Sequence, residues 1–359
     1  MWRKKTAWFV LLGLAICIKI FSLFPDAVEK YYALGIYPVI SKLQRILFGW
    51  LPFSIGDFFY AFIVVWLIYK LYHTIKRIIK RQTNKKYWLH ALLQVVFAVV
   101  VVYVSFNLLW GLNYNRRGVA YQLELKVQRY SKEDLVQMMQ QIVIRLNVLD
   151  SASRVNREFI HRKRNLFEGA TDAYDQLAAA EPAFTYSFKS VKPSLYSYLG
   201  NYLGYTGYYN PFSGEAQVNT TVPLFVQPFT TCHEIGHQLG YAKENEANFA
   251  GYLSAKSSKS ALFRYSVYFD LYSYSRYYLY AQDSVAAKKL DAQLPPGIKA
   301  DYRELREFVK KYRNPIEAVI DHLYGQYLKA NNQPGGKLTY NEVVAWLVAY
   351  YKKYGASAI

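Results

Sequence analysis

The sequence predicts a membrane protein, mainly α, with three N-terminal transmembrane helices followed by a mostly helical α+β domain. Three observations carry this. Apolar runs long enough to cross a bilayer are confined to the first third of the 359 residues. Basic residues gather beside those runs. Beyond about residue 111 the apolar residues recur at helical spacing, broken by one extended stretch just before a pair of histidines. Charged residues make up 19% of the chain, below the roughly 25% usual in soluble proteins, and the deficit is local to the first third.

The clearest run is 91–110, "ALLQVVFAVVVVYVSFNLLW", twenty residues without a charge, the length a helix needs to cross the hydrocarbon core. The run 7–24, "AWFVLLGLAICIKIFSLF", carries one charge, Lys19, near enough to its end to snorkel. It lacks a small-residue cleavage site and is followed by further apolar runs, so it reads as an uncleaved span rather than a signal peptide. The third run, 53–72, has Asp57 and Lys70 near its two ends, where interfacial charges are tolerated. Residues 1–111 thus form a membrane anchor.

Basic residues set the direction of the spans. Arg3, Lys4 and Lys5 precede the first run, and Lys76, Arg77, Lys80, Arg81, Lys85 and Lys86 lie in the loop 73–87. By the positive-inside rule both segments are cytoplasmic. The loop 25–45 and everything after residue 111 then lie outside, in the periplasm or extracellular space, with the chain multi-pass in the cytoplasmic (inner) membrane. Arg116 and Arg117 argue mildly the other way. The net charge of +19 follows largely from this topology. Residues 1–111 hold 14 Lys+Arg against 3 Asp+Glu, leaving 30 against 22 for the remainder. The lipid bilayer is therefore the expected partner, and nucleic acid is not, because an exported domain seldom meets it. The two cysteines, Cys17 in a span and Cys232 beside a histidine, are not expected to pair. A domain of residues 112–359 is large enough to hold together through its own core.

Within that domain, Ser131 caps a helix over 131–148, with apolar residues at 135, 138, 139, 142 and 146. Residues 165–180 continue as a helix. Gly207 and Asn210-Pro211 signal a turn, and 214–225 reads as a strand. Residues 263–280, "FRYSVYFDLYSYSRYYLY", space aromatics as a buried helix face does. Two amphipathic helices follow at 303–312 and 341–354.

The chemistry concentrates in residues 230–248, "TTCHEIGHQLGYAKENEAN". Histidines four apart project from one helix face, so His233 and His237 can share an ion. Glu234 sits about 100° round the helix, near such an ion without binding it. This is the H-E-x-x-H arrangement, two ligands and a carboxylate that can take a proton from water on zinc. Thr230 or Thr231 is expected to cap the helix, and Gly240 is placed as its C′ residue. A third ligand must return from downstream. Lys243 cannot serve while protonated, which leaves Glu244 and Glu246. Glu244 is favoured because Asn248, four residues on, can orient a ligand from outside, where Glu246 has only Ala250. Both carboxylates also suit a helix N-terminus. Cys232 points off the ligand face and reads as a packed residue. Glu215 and Asn219 on the preceding strand are further candidates for the cleft, with a turn or solvent role equally open. His322, the one histidine downstream of the motif, is a weak candidate for an oxyanion donor.

The segments "WGLNYNRRG" (110–118), "GYYNPFSGEAQVN" (207–219), "HEIGHQLGYAKENEANF" (233–249) and "YLKANNQPGG" (327–336) resemble a bacterial multi-pass membrane protein family of unknown function, nearly over the whole chain. The resemblance implies a zincin-like domain of the glutamate-ligand type and names no substrate. "ENEANFA" (244–250) is also similar to zinc peptidases that cut phage or stress-response repressors. Those are cytoplasmic, so only the local metal geometry carries over. The expectation is a membrane-anchored zinc metallopeptidase acting on an envelope protein or peptide, with Zn²⁺ held by His233, His237 and Glu244 and with Glu234 as general base. The alternative is a catalytically silent zincin-like sensor or scaffold of the envelope. Oligomeric state is unassigned.

Overall fold

The computed structural model describes residues 2–155, 157–333 and 340–359. Pro334, Gly335 and Gly336 of the 327–336 segment lie outside them. Helix α1 (Trp2–Phe21) ends in a tight turn. Pro25, with no N–H to leave unpaired, starts α2 (Pro25–Phe48), which passes through a π-helical stretch at Val28–Ile36 and lies at 103° to α1. The expected outer loop 25–45 is therefore helical.

Helix α3 (Ile55–Ile79) begins where Ser54 accepts from the Asp57 N–H at 3.0 Å. Helix α4 (Lys85–Leu109) begins where Asn84 accepts from the Tyr87 N–H at 2.9 Å. Both are long and apolar enough to cross a membrane, and among the described residues a third crossing exists only if the bent α1–α2 pair is one span. The rest of the chain buries 11% and 6% of the most apolar stretches of α3 and α4. These surfaces need another apolar medium.

The remaining chain is helical around one small sheet. Helix α5 (Lys132–Val155) opens with a reciprocal cap, Ser131 and Asp134 each accepting the other's main-chain N–H at 3.1 and 2.9 Å. Helix α6 (Lys163–Ala180) leads to strand β1 (Val191–Pro193), short helix α7 (Ser197–Leu203) and strands β2 (Gly207–Asn210) and β3 (Glu215–Val218). The order is β1-β3-β2, with β3 parallel to β1 and antiparallel to β2. Strand β3 is shorter than expected because Asn219 turns the chain, its Oδ1 accepting from Thr221 N at 3.0 Å.

Two crossed helices follow, α8 (Gln227–Gln238) and α9 (Glu244–Ser257), then α10 (Ala261–Gln282), α11 (Ser284–Ala292), α12 (Pro296–Tyr312), α13 (Ile316–Ala330) and α14 (Tyr340–Tyr354). The aromatic face of α10 is core, as its spacing predicted: Phe263, Tyr265, Tyr268, Phe269 and Tyr272 are buried against α5, α8 and α9. A second, smaller core of Val28, Tyr32, Tyr37, Val104, Trp110 and Ala242 joins the membrane-side helices to the loop after α8.

Candidate metal centre

Helix α8 starts one turn earlier than expected. Pro228 occupies its first turn, so Thr231 lies inside the helix and donates its hydroxyl to the Gln227 carbonyl at 2.7 Å instead of capping. The far end matches the sequence. Gly240 is left-handed at φ +87, its N–H reaching His237 O at 3.0 Å, and Tyr241 N reaches Gly236 O at 3.2 Å. This double closure spends the free carbonyls of the last turn and reverses the chain. A side chain at 240 would also strike the Tyr37 ring at 2.8 Å. Four residues after Gly240, α9 begins at Glu244. The two helices can cross closely because Gly236 and Gly251 stand at the crossing, where a Cβ would lie 3.2 Å from Ala247 O and 3.0 Å from His233 Cα.

That crossing assembles the site. The His233 and His237 rings lie 4.7 Å apart, perpendicular to each other. Each points Nε2 at the Glu244 carboxylate, at 3.4 Å to Oε2 for His233 and 3.8 Å to Oε1 for His237. Each is held from behind by Nδ1, His233 on Asn248 Oδ1 at 2.9 Å and His237 on Tyr241 O at 2.8 Å. Tyr324 on α13 donates its hydroxyl to Glu244 Oε1 at 2.6 Å. Glu234 is buried beside them: ligand atoms of His233, Glu234 and His237 all lie within 4.8 Å of one another, and Glu234 Oε2 has no hydrogen-bond partner.

The electrostatics favour a cation at the centre. The Tyr241 carbonyl can only accept, so His237 carries its proton on Nδ1 and turns the Nε2 lone pair toward a carboxylate. Burial pushes His237 down to about 4, so it stays neutral. Burial also lowers His233, but its hydrogen bond to Glu244 and the neighbouring carboxylates outweigh this and raise it to about 9. The same contact holds Glu244 well below the usual carboxylate range against its burial. Without a metal, a proton on His233 thus sits between the acceptors. Two imidazole nitrogens and a carboxylate oxygen, each steadied from outside, are a donor set that fits Zn²⁺. Burial pushes Glu234 up to about 8.

Of the two downstream carboxylates, Glu244 reaches the histidines and Glu246 does not. Glu246 turns away to Lys243 at 3.5 Å, against Gly118. Cys232 is fully buried on the opposite face, near Ser254 Oγ at 3.7 Å. Of the two roles open to Glu215 and Asn219, lining the cleft is not the one they take. Glu215 caps α3 instead, accepting from Gly56 N at 2.7 Å and from Ile55 N and Ser54 Oγ at 3.2 Å. Asn219 donates to Asn201 Oδ1 at 2.8 Å. His322 is exposed and does not line the cavity.

Three contributors escaped the sequence reading. Tyr324 supports Glu244. Gly207 on β2 lies so near Glu234 that a Cβ there would come 2.6 Å from its Oε1. Trp110, at the end of α4, donates its indole N–H to His237 O at 3.1 Å. The quoted Gly207 was a signal in plain view, whereas Tyr324 was one tyrosine among 36. The site opens into a cavity of about 2460 Å³ whose wall includes His233, Glu234, His237 and Glu244.

The chain belongs to the family described as "Protein of unknown function (DUF3810)", whose model matches residues 32–348. Comparisons with curated proteins and with solved structures gave no match.

Proposed function

We propose that this member of the family is a membrane-anchored zinc metallopeptidase, with a zincin-like domain outside the cytoplasmic membrane hydrolysing an envelope peptide or protein. The observation that carries the reading is the convergence of two histidine Nε2 atoms and the Glu244 carboxylate on one point, with Glu234 buried beside it and partnerless at Oε2. His233, His237 and Glu244 would hold the ion. Bound there, zinc supplies a Lewis acid for a carbonyl and a water acidic enough to attack it. A cation bound beside Glu234 would offset the burial that raises its carboxyl, so that Oε2 could take the proton from the attacking water and return it to the leaving nitrogen, the work of a general base and then acid. Gly207 keeps the space above Glu234 open, and β2, at the sheet edge beside it, offers main-chain groups to an extended substrate. The length and apolar surface of α3 and α4 support the anchor, and the basic turn between them supports the orientation.

The test uses the full chain in lipid nanodiscs, with zinc content and cleavage of a mixed peptide library compared with Glu234→Gln. The expected result is one zinc per chain in both proteins, and cleavage reduced by about 100-fold or more in the variant. Zinc without cleavage favours the sensor or scaffold reading, and no zinc sinks both.

A further inference from the structure

The cavity at the metal centre holds a carboxylate that the reaction proposed above does not use. Asp270 lies on α10 and shares the cavity wall with Phe229, His233 and Asn248. Its place follows from the packing of α10 on α8, where Ser266, one turn before it, accepts from the Phe229 N–H at 3.0 Å. Elsewhere in the protein buried carboxylates have partners. Glu29 has Arg116, Asp301 has Arg157 and Glu246 has Lys243, while Glu215 accepts main-chain N–H groups at the start of α3. Asp270, by contrast, has no hydrogen bond and no ion pair among the described residues, and its Oδ2 is closed off from solvent. Asn248 Nδ2, on the same wall, is also unpartnered, so the two side chains do not meet. The metal centre does not claim Asp270 either, since Glu244 is the carboxylate that faces both Nε2 atoms.

Burial pushes the Asp270 carboxyl up to about 7, with the charge of His233 drawing it back. A buried charge without a partner is costly, and a cation brought in by the substrate would answer it. With Oδ2 enclosed, the side chain offers the cavity a single oxygen. That suits a compact ammonium better than the two-pronged fork of a guanidinium. We propose that Asp270 is a specificity-determining residue, binding an ammonium group that the substrate carries beside the scissile peptide bond. The free N-terminal amine and the side-chain amine of lysine present the same N–H donors to it. This rests on the peptidase reading and names its substrate class.

The test compares three short mixed-sequence peptide libraries on the full chain in nanodiscs. One has no ammonium group, being N-acetylated with norleucine in place of lysine. The second has a free N-terminal amine alone, and the third has lysine alone behind an acetyl cap. One of the two ammonium libraries should be cut about tenfold faster or more than the uncharged one, and which one it is tells the N-terminal amine from the side chain. Asp270→Asn should bring that ratio within about twofold, Asp270→Glu should keep the ammonium library preferred, and both should retain zinc. Equal rates for all three libraries overturn the inference, leave the peptidase reading standing, and need no variant to fold. A ratio unmoved by Asp270→Asn also overturns it, as does loss of zinc at an unchanged thermal midpoint, which would give Asp270 to the metal centre. Binding is read separately, by anisotropy of the same libraries with a C-terminal fluorophore on Glu234→Gln. The preferred library should bind about tenfold more tightly than the uncharged one, and adding Asp270→Asn should abolish the difference. That selectivity with no library cut by the active protein supports the ammonium site and sinks the peptidase reading.

Discussion

Trp110 and His237, 127 residues apart, are joined by a hydrogen bond from the indole Nε1 to the histidine's main-chain carbonyl at 3.1 Å. The end of a membrane-length helix is thereby fastened to the helix that carries both imidazoles. Trp110→Phe keeps the ring and removes the donor. It should cost about 1 kcal/mol, read as a lower thermal midpoint of the full chain in nanodiscs. An unchanged midpoint would mean that water replaces the indole.

Asn248 accepts from His233 Nδ1 and so leaves Nε2 free to face Glu244. Asn248→Ala should weaken zinc binding by about 10- to 100-fold, measured by competition with a chromophoric chelator. Affinity within twofold of the parent would show that the ring holds its orientation by packing alone.

Glu244 and Glu246 separate cleanly by metal content. Glu244→Ala should lose zinc on dialysis, because it removes the carboxylate that faces both Nε2 atoms. Glu246→Gln should keep its zinc, because that side chain points to Lys243. The reverse pattern would exchange their roles.

Gly207→Ala should place a methyl against the Glu234 carboxylate. Peptide cleavage should fall by about tenfold or more, since displacement of a general base by a fraction of an ångström weakens proton transfer, while zinc content stays unchanged. Parallel loss of zinc would indicate that β2 and α8 had moved together.

The basic turn between α3 and α4 supplies a topology test. Gln82→Cys in a Cys17→Ser background should react with an impermeant maleimide only after the cytoplasmic face is opened, because Cys232 is buried and silent. Labelling of intact cells would invert the proposed orientation.

What the sequence disclosed here was local. Gly240, Glu244 and Asn248 were readable because each follows from helix geometry within eleven residues of His237. The start of α8 was misread because Pro228, a good first-turn residue, was passed over for the threonines behind it. Residues 25–45 were read as a loop because their basic content was weighed and their helical spacing was not. Tyr37, Ser41 and Glu215 became intelligible only through partners more than 150 residues away. No spacing rule reports such contacts, and that is why Glu215 could not be assigned between the cleft and a turn or solvent role when it caps a helix.

The bond from Glu215 to the start of α3 belongs to a wider pattern. Tyr37 and Ser41 each donate to Gln238 O at 2.9 Å, and Arg116 is paired with Glu29 at 2.8 Å while nearly sealed from solvent. Cutting the chain after residue 111 would therefore strand a buried guanidinium and a buried carboxylate and uncover the end of α8. On the peptidase reading proposed above, a fragment beginning after residue 111 would not keep that activity. The helices that precede residue 111 are thus part of the structure that holds the candidate site, and a cut between them and the rest would damage the site rather than release it intact.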